Sequence, residues 1–383
     1  MNKRLECLDG LRGVLAVYVL LSHLVPFTVL PAWVAWPLSH GEAAVDLFFV
    51  LSGLVIVRSL EHYHYRARPF LIARAARIFP VFLPVFALAV IVQPVSFNFA
   101  TMPWIVPDSP ARMIWSQGWP ASWKTDLLAH LTMLHGMFPN GVFPNVWVSF
   151  LGAAWSLSTE WQFYTLVALI GARFGHGARG QWRLVILLLG LAVAAVAWHA
   201  VVPHGWQFSR AFLPNKAMYF ALGVASAAWL DDARARWRFL AVLGVAMALC
   251  LVHDDAIKAL APLAWVLCLA AQWARGQRAR GQSGRGQWAG LGWPGLGGLG
   301  ALLGSAPLRW LGSISYSLYL VNEPIQKLLG VALTDAVDRR AMLFTLIWVP
   351  AAVLLPISAA WWLHYQIEMP ALRRGKVLAA AAA

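Results

Sequence analysis

Ten stretches of this chain are apolar over nearly the length needed to cross a bilayer, and that repetition constrains the fold more than any other feature of the sequence. A hydrocarbon core of about 30 Å and a helical rise of about 1.5 Å per residue require about 20 mainly apolar residues per span. Runs bounded by charges, Pro and Gly fall at 11–30, 43–58, 78–94, 148–170, 183–202, 215–230, 238–252, 257–273, 308–333 and 341–363. The pattern predicts an all-α polytopic integral membrane protein with about ten transmembrane helices. Composition points the same way, with 60% hydrophobic and 12% charged residues against about 25% charged in an average soluble domain.

The net charge of +14 would suggest nucleic acid in a soluble protein, but here the placement of the charge decides. With ten spans and the N-terminus inside, 22 of the 30 Lys and Arg residues fall on the cytoplasmic side. Both termini are therefore expected in the cytoplasm, in contact with the lipid bilayer and with no nucleic-acid partner. Asp9 and Arg12 interrupt the start of the first run, so it reads as a retained span rather than a cleaved signal. The stretch 127–138 is too short to span and is expected as a re-entrant or surface helix outside. The outer segment 93–146, rich in Trp and Pro, is a natural cap facing an acceptor. The basic and then Gly-rich stretch 274–306 reads as a flexible cytosolic linker inside a membrane domain 1–370, followed by a cytosolic tail 371–383. Cys7, Cys250 and Cys268 have neither metal-ligand nor redox spacing, and no metal site is expected.

Polar residues at mid-membrane depth are functional candidates, because each needs a cavity or a partner. Arg12 and His23 are eleven residues apart, about three helical turns, so they share a face with His23 about 16 Å deeper. Glu160 lies near the middle of the fourth run, on a stripe with Ser156 and Tyr164 at intervals of four. A His beside a buried carboxylate has the composition of a general base and its orienting group, which makes Glu160 the expected partner of His23. Packing hydrogen bonds between helices are the alternative for both. Arg74 and Arg77 stand one turn apart at the cytosolic entrance to the third run, suited to phosphate, although positive-inside charge alone would also place arginines there. The ninth run carries Tyr316, Tyr319, Asn322 and Glu323 before Pro324, a polar stretch tolerable only beside protein or water.

These residues resemble the signature of acyltransferase family 3, the ten-span acyl-CoA-dependent transferases that O-acetylate bacterial O-antigens, exopolysaccharides and Nod factors. The resemblance runs in family order through LDGLRGVLAVYVLLSHL, GEAAVDLFFVLSGLVI, RARPFLIARAARIFP, WSLSTEWQFY, GSISYSLYLVNEP and HYQIEMP, over residues 8–370. Arg12 and His23 coincide with the family's Arg/Lys, ten residues, His motif. Many relatives carry His where this chain has Asn322, which can hydrogen-bond but cannot shuttle a proton at neutral pH.

The resemblance implies a bacterial inner-membrane O-acetyltransferase with no permanently bound cofactor. Acetyl-CoA or another acyl-CoA would be the donor, and a glycan or lipid-linked glycan the acceptor. His23 and Glu160 would be catalytic. Arg12, Arg74, Arg77, Ser156, Tyr164, Tyr316, Tyr319, Asn322 and Glu323 would bind the acyl-CoA or position it. Direct transfer and an acyl-histidine intermediate both remain open, as do the acceptor and the oligomeric state. The competing reading is a flippase or transporter whose polar spans line a path; the sequence shows no internal repeat of the kind such folds use. An inactive relative acting as an assembly partner is a third reading.

Overall fold

The structure is a computed structural model that describes residues 6–105, 109–174, 177–252, 256–278, 296–337 and 340–382. Fifteen α-helices run in chain order: α1 Glu6–Leu24, α2 Ala32–Leu38, α3 Gly41–His62, α4 Ala67–Ala100, α5 Pro110–Trp115, α6 Trp123–Leu131, α7 Ala154–Phe174, α8 Gly177–Val201, α9 Leu213–Asp231, α10 Arg236–Val252, α11 Leu260–Arg278, α12 Leu296–Leu303, α13 Ala306–Ala336, α14 Ala341–Leu363 and α15 Met369–Ala381. Among the described residues the only extended pairing is one isolated bridge, between Pro139 and Phe208.

Among the described residues, seven stretches are long and apolar enough to cross a membrane: Cys7–Phe27, Ala32–His62, Ala67–Ser96, Gly177–Val201, Ala233–Val252, Ile257–Ala274 and Ala341–Ala381. The chain is thus a polytopic membrane protein. Helices α7, α9 and α13, with 21, 19 and 31 residues, are of similar length, and they carry many of the polar residues. Each of the ten apolar runs is carried largely by a helix.

Two close seams set the bundle. A Cβ at Gly10 would collide with the Leu303 carbonyl oxygen, and one at Gly312 with that of Asp9, so α1 lies directly against α12 and α13. A Cβ at Gly53 or Gly223 would likewise strike the Phe220 or Val50 carbonyl oxygen, bringing α3 and α9 together. Small residues allow this approach where lipid tails supply no hydrophobic drive between helices.

Three segments take a form that apolar run length did not show. Residues 274–306 are not a linker throughout: α11 continues to Arg278 and Leu296–Leu303 forms α12, which lies against α11 and against α1, where Gly10 leaves room for the Leu303 carbonyl oxygen. The middle of that segment, 279–295, lies outside the described residues. The tail 371–383 is largely helical, since α14 passes through a π-helical turn at His364–Glu368 into α15, which packs on α4 at Gly375 and Ala76. The helix of the fourth apolar run, α7, starts at Ala154 rather than near 148, because residues just before it are held in an irregular turn with Phe150 at φ 62°.

The stretch 127–138 is tucked into the bundle by its histidines. His130 and His135 stack with ring centroids 4.0 Å apart, and the His135 Nε2 lies 3.0 Å from the Ala154 carbonyl oxygen. Burial pushes the His130 imidazole down to about 4, so this ring is neutral at physiological pH.

Overpacking a close seam costs about 1–3 kcal/mol. Gly223→Val is therefore expected to lower the thermal midpoint of the purified protein by several degrees. Gly244→Val, where an added Cβ meets nothing within 4 Å, should shift it far less; equal shifts would remove the α3–α9 seam as the reason.

Candidate active site

A cavity of about 900 Å³ opens at one end of the bundle, where Arg58, Glu61, His62 and Asp231 stand at its mouth. Its walls come from α1, α3, α4, α7, α9 and α13, and they bring together Arg12, Arg74, Arg77, Ser156, Glu160, Tyr164, Tyr316 and Tyr319. Eight of the eleven residues singled out from the sequence thus share one space. His23, Asn322 and Glu323 are not among its lining residues.

The arginines are placed by α4, whose 34 residues carry the helix well below the predicted span. The Arg74 Nη2 donates to the Ser59 Oγ at 2.7 Å, and its guanidinium lies 5.8 Å from the centres of the Phe70 and Tyr164 rings. Arg77 lies 4.0 Å from the Glu368 carboxylate and 5.8 Å from the centre of the Tyr316 ring. Tyr316 is pinned by its hydroxyl, which donates to the Ile78 carbonyl oxygen at 2.6 Å. Arg12 lies within electrostatic range of Arg77, Glu368, Glu160 and Asp9. Three cations with forked donors at one cavity have the chemistry that suits phosphate oxygens.

Glu160 is not the partner of His23. Its Oε2 accepts from the Tyr164 hydroxyl at 3.0 Å, and its charge acts on Arg12, Arg74 and Arg77. The i,i+4 stripe predicted for Ser156, Glu160 and Tyr164 does face one space, but Tyr164 and the arginines claim the carboxylate.

His23 is held instead by Asn322, with Nδ1 and Oδ1 2.7 Å apart. The Asn322 Nδ2 donates to the carbonyl oxygens of Leu318 and Tyr319 at 3.0 and 2.6 Å. Two carbonyl acceptors fix which end of the amide is nitrogen, so its oxygen faces His23 and the imidazole carries its proton on Nδ1. Nε2 is left unprotonated, with no hydrogen-bond partner among the described residues, in a half-buried ring edged by Trp115 at 6.3 Å. That is the tautomer a general base needs.

One turn of α13 separates His23 from the cavity. The cavity reaches Ser156 and Tyr319, whose hydroxyls lie 2.8 Å apart and both meet the Ala153 carbonyl oxygen, at 3.3 and 3.0 Å. Behind them the buried Glu323 pairs with Lys327 at 2.9 Å and accepts from the Ala153 backbone N–H at 3.0 Å. This pair supports the irregular entry to α7 and the placement of Ser156.

Sequence reading did not assign three groups that this structure ties to the site. Glu368, in the IEMP ending, is buried, accepts from the Ser317 hydroxyl at 2.9 Å, lies 2.9 Å from the His364 Nδ1 and faces Arg77. Its motif was visible, but its position at the end of the last apolar run gave no hint that a π-helical turn, a feature frequent at functional sites, aims it inward. His364 had no motif of its own. Lys327 falls at i+4 from Glu323, a spacing that could have announced the pair.

Comparison with known proteins gives this architecture a family. The sequence profile described as "Acyltransferase domain" of acyltransferase family 3 matches residues 5–365. The chain is 26% identical over 333 residues, 83% of its length, to the Bacillus subtilis (strain 168) protein named "Putative peptidoglycan O-acetyltransferase YrhL". It spans about half of that relative, 48%. No solved structure matches it significantly. A profile covering nearly the whole chain leads to one assignment: this protein belongs to acyltransferase family 3.

Proposed function

We propose that the protein crosses a bacterial inner membrane ten times with both termini in the cytoplasm, and moves an acyl group, acetyl in the simplest case, from acyl-CoA to a hydroxyl of an envelope glycan. The observation that carries this reading is the Nδ1-protonated His23 imidazole, fixed by Asn322 one helical turn beyond the end of the arginine cavity.

The donor enters from the cytosol, where the mouth residues Arg58 and His62 lie. Its phosphates rest on Arg12, Arg74 and Arg77, and Glu160 keeps those cations together. The pantetheine arm extends toward Ser156 and Tyr319, and a shift of the Tyr319 side chain opens the way to His23. The acceptor approaches from the opposite side. Its hydroxyl proton passes to His23 Nε2 as the oxygen attacks the thioester carbonyl; the C–S bond breaks and the thiolate takes that proton back from the imidazolium. Asn322 positions the imidazole and stabilises its Nδ1 proton throughout. Members of the family modify O-antigen and exopolysaccharide, and the name of the Bacillus relative adds peptidoglycan to the class of acceptors.

His23→Ala should leave the protein inserted and lower acyl transfer by at least about 100-fold, the scale of a lost general base; transfer within a few-fold of wild type would remove His23 from that role. Asn322→Leu should lower kcat by about tenfold or more with little change in the KM for acyl-CoA, since it releases the ring without touching the donor. Arg77→Ala should raise the KM for acetyl-CoA by about tenfold, the value of one charge-assisted hydrogen bond; an unchanged KM would assign Arg77 to topology alone. Arg66→Cys should be labelled only from the cytoplasm and Val142→Cys only from outside. Labelling of both from one side would overturn the ten-span arrangement.

A further inference from the structure

A second cavity, about 750 Å³, lies at the other end of α3 and α9. Helix α3 runs from Glu42, at the second cavity, to Arg58, at the mouth of the first, and α9 runs from Lys216 to Asp231 in the same sense. At about 1.5 Å per residue each passage covers about 22–24 Å, most of a hydrocarbon core of about 30 Å. The two cavities therefore face opposite sides of the membrane. The second is built from the connections α6–α7, α8–α9 and α10–α11, which the ten-span arrangement puts outside. Backbone bonds hold two of these together, from the Asn140 N–H to the Gln207 carbonyl oxygen at 2.9 Å and from the Gly141 N–H to that of Gly205 at 2.7 Å.

What this cavity offers a ligand is chemically specific. The Lys216 Nζ lies 2.8 Å from Glu42 and 2.7 Å from the buried Asp46, and Arg210 pairs with Glu42. These two cations and two carboxylates compensate one another at the wall of the cavity, whose lining also includes Lys258. The Asn140 and Asn145 side-chain amides have no partner among the described residues. Asn145 is turned by a left-handed backbone, φ 61°, a conformation Asn tolerates. The half-buried Trp147 indole lines the same space, with the Arg210 guanidinium 5.3 Å from the centre of its ring. An indole for a face of C–H groups, amides for in-plane hydroxyls and little net charge suit a sugar ring better than a phosphate or a lipid chain.

The wall between the cavities is thin. The Lys216 ammonium lies 5.6 Å from the centre of the Trp155 ring, which meets the Phe49 ring edge-on at 5.7 Å, and Phe49 lines the first cavity. Ser156, at the end of the donor cavity, follows Trp155 directly. We infer that the second cavity is the acceptor-holding subsite, taking an uncharged saccharide segment with one ring on Trp147 and its hydroxyls on Asn140 and Asn145, on the outer side of the Lys216–Trp155 wall. This inference rests on the acyltransfer reading given above.

The test uses the full chain in lipid nanodiscs. Val142→Cys adds a thiol on the rim, 48% exposed, while the three native cysteines are buried. The probe is the pool of oligosaccharides released by mild hydrolysis from the native cell's own envelope glycans. Saturating oligosaccharide should slow maleimide labelling of Val142→Cys at least about fivefold. Trp147→Ala should raise the concentration for half-protection at least about tenfold, and Asn140→Ala, a smaller change at the rim, about threefold. Transfer of radiolabelled acetyl from acetyl-CoA to the same pool is measured in parallel. Transfer without protection, or protection that both variants retain in full, overturns the subsite. Protection without transfer keeps the saccharide site and overturns the acyltransfer reading; neither effect overturns both.

Discussion

Compensation of buried charge is the constraint on which the rest of this structure depends. An ion in a lipid-embedded bundle costs several kcal/mol unless it is paired and hydrogen-bonded. Here Glu323 meets Lys327 and the Ala153 N–H, Lys216 bridges Glu42 and Asp46, and Glu368 meets Arg77, His364 and Ser317. Each pairing joins different helices or a helix and a loop, or braces such a junction. The polar contacts that keep these side chains affordable in the membrane also fix the register of α3 with α9, of α4 with α15 and of α13 with the entry to α7.

That register has a functional consequence. Glycine seams bring α1 against α13 and α3 against α9 closely enough that helix backbones, rather than long side chains, form the contact. Long side chains line two cavities at opposite ends of α3 and α9. On the reading proposed above, a donor would be held through phosphate by forked cations and an acceptor through hydroxyls by amides with an indole. The two ends of α3 and α9 provide these separately, with Trp155 and Lys216 between them.

The replacement of a frequent His by Asn322 takes on a physical meaning in this setting. The two carbonyl oxygens that accept from its Nδ2 leave its Oδ1 facing the Nδ1 of His23, which sets the tautomer without adding a second titrating ring. A neutral amide also leaves Glu323 to its own partner, Lys327.

By itself the sequence determined the membrane-spanning helical class, the family resemblance and the candidate list, because apolar run length, charge placement and ordered motifs are local properties of the chain. It located the helices to within a few residues at most ends, and it showed Arg12, Arg74, Arg77, Ser156, Glu160 and Tyr164 as residues that belong on inward faces. Only the tertiary structure decided which of these meet. Helical periodicity gives the face of one helix and its depth, and it cannot say which of several polar groups at that depth a neighbouring helix will present. For that reason Glu160 was expected at His23 and is found among arginines, while the contact to His23 comes from Asn322, 299 positions away. The helical parts of the expected linker and tail were hidden on the same ground. Glycine-rich α12 and short, basic α15 have little reason to be helical alone; α12 packs on α1 where Gly10 leaves room for it, and α15 packs on α4 at its own Gly375.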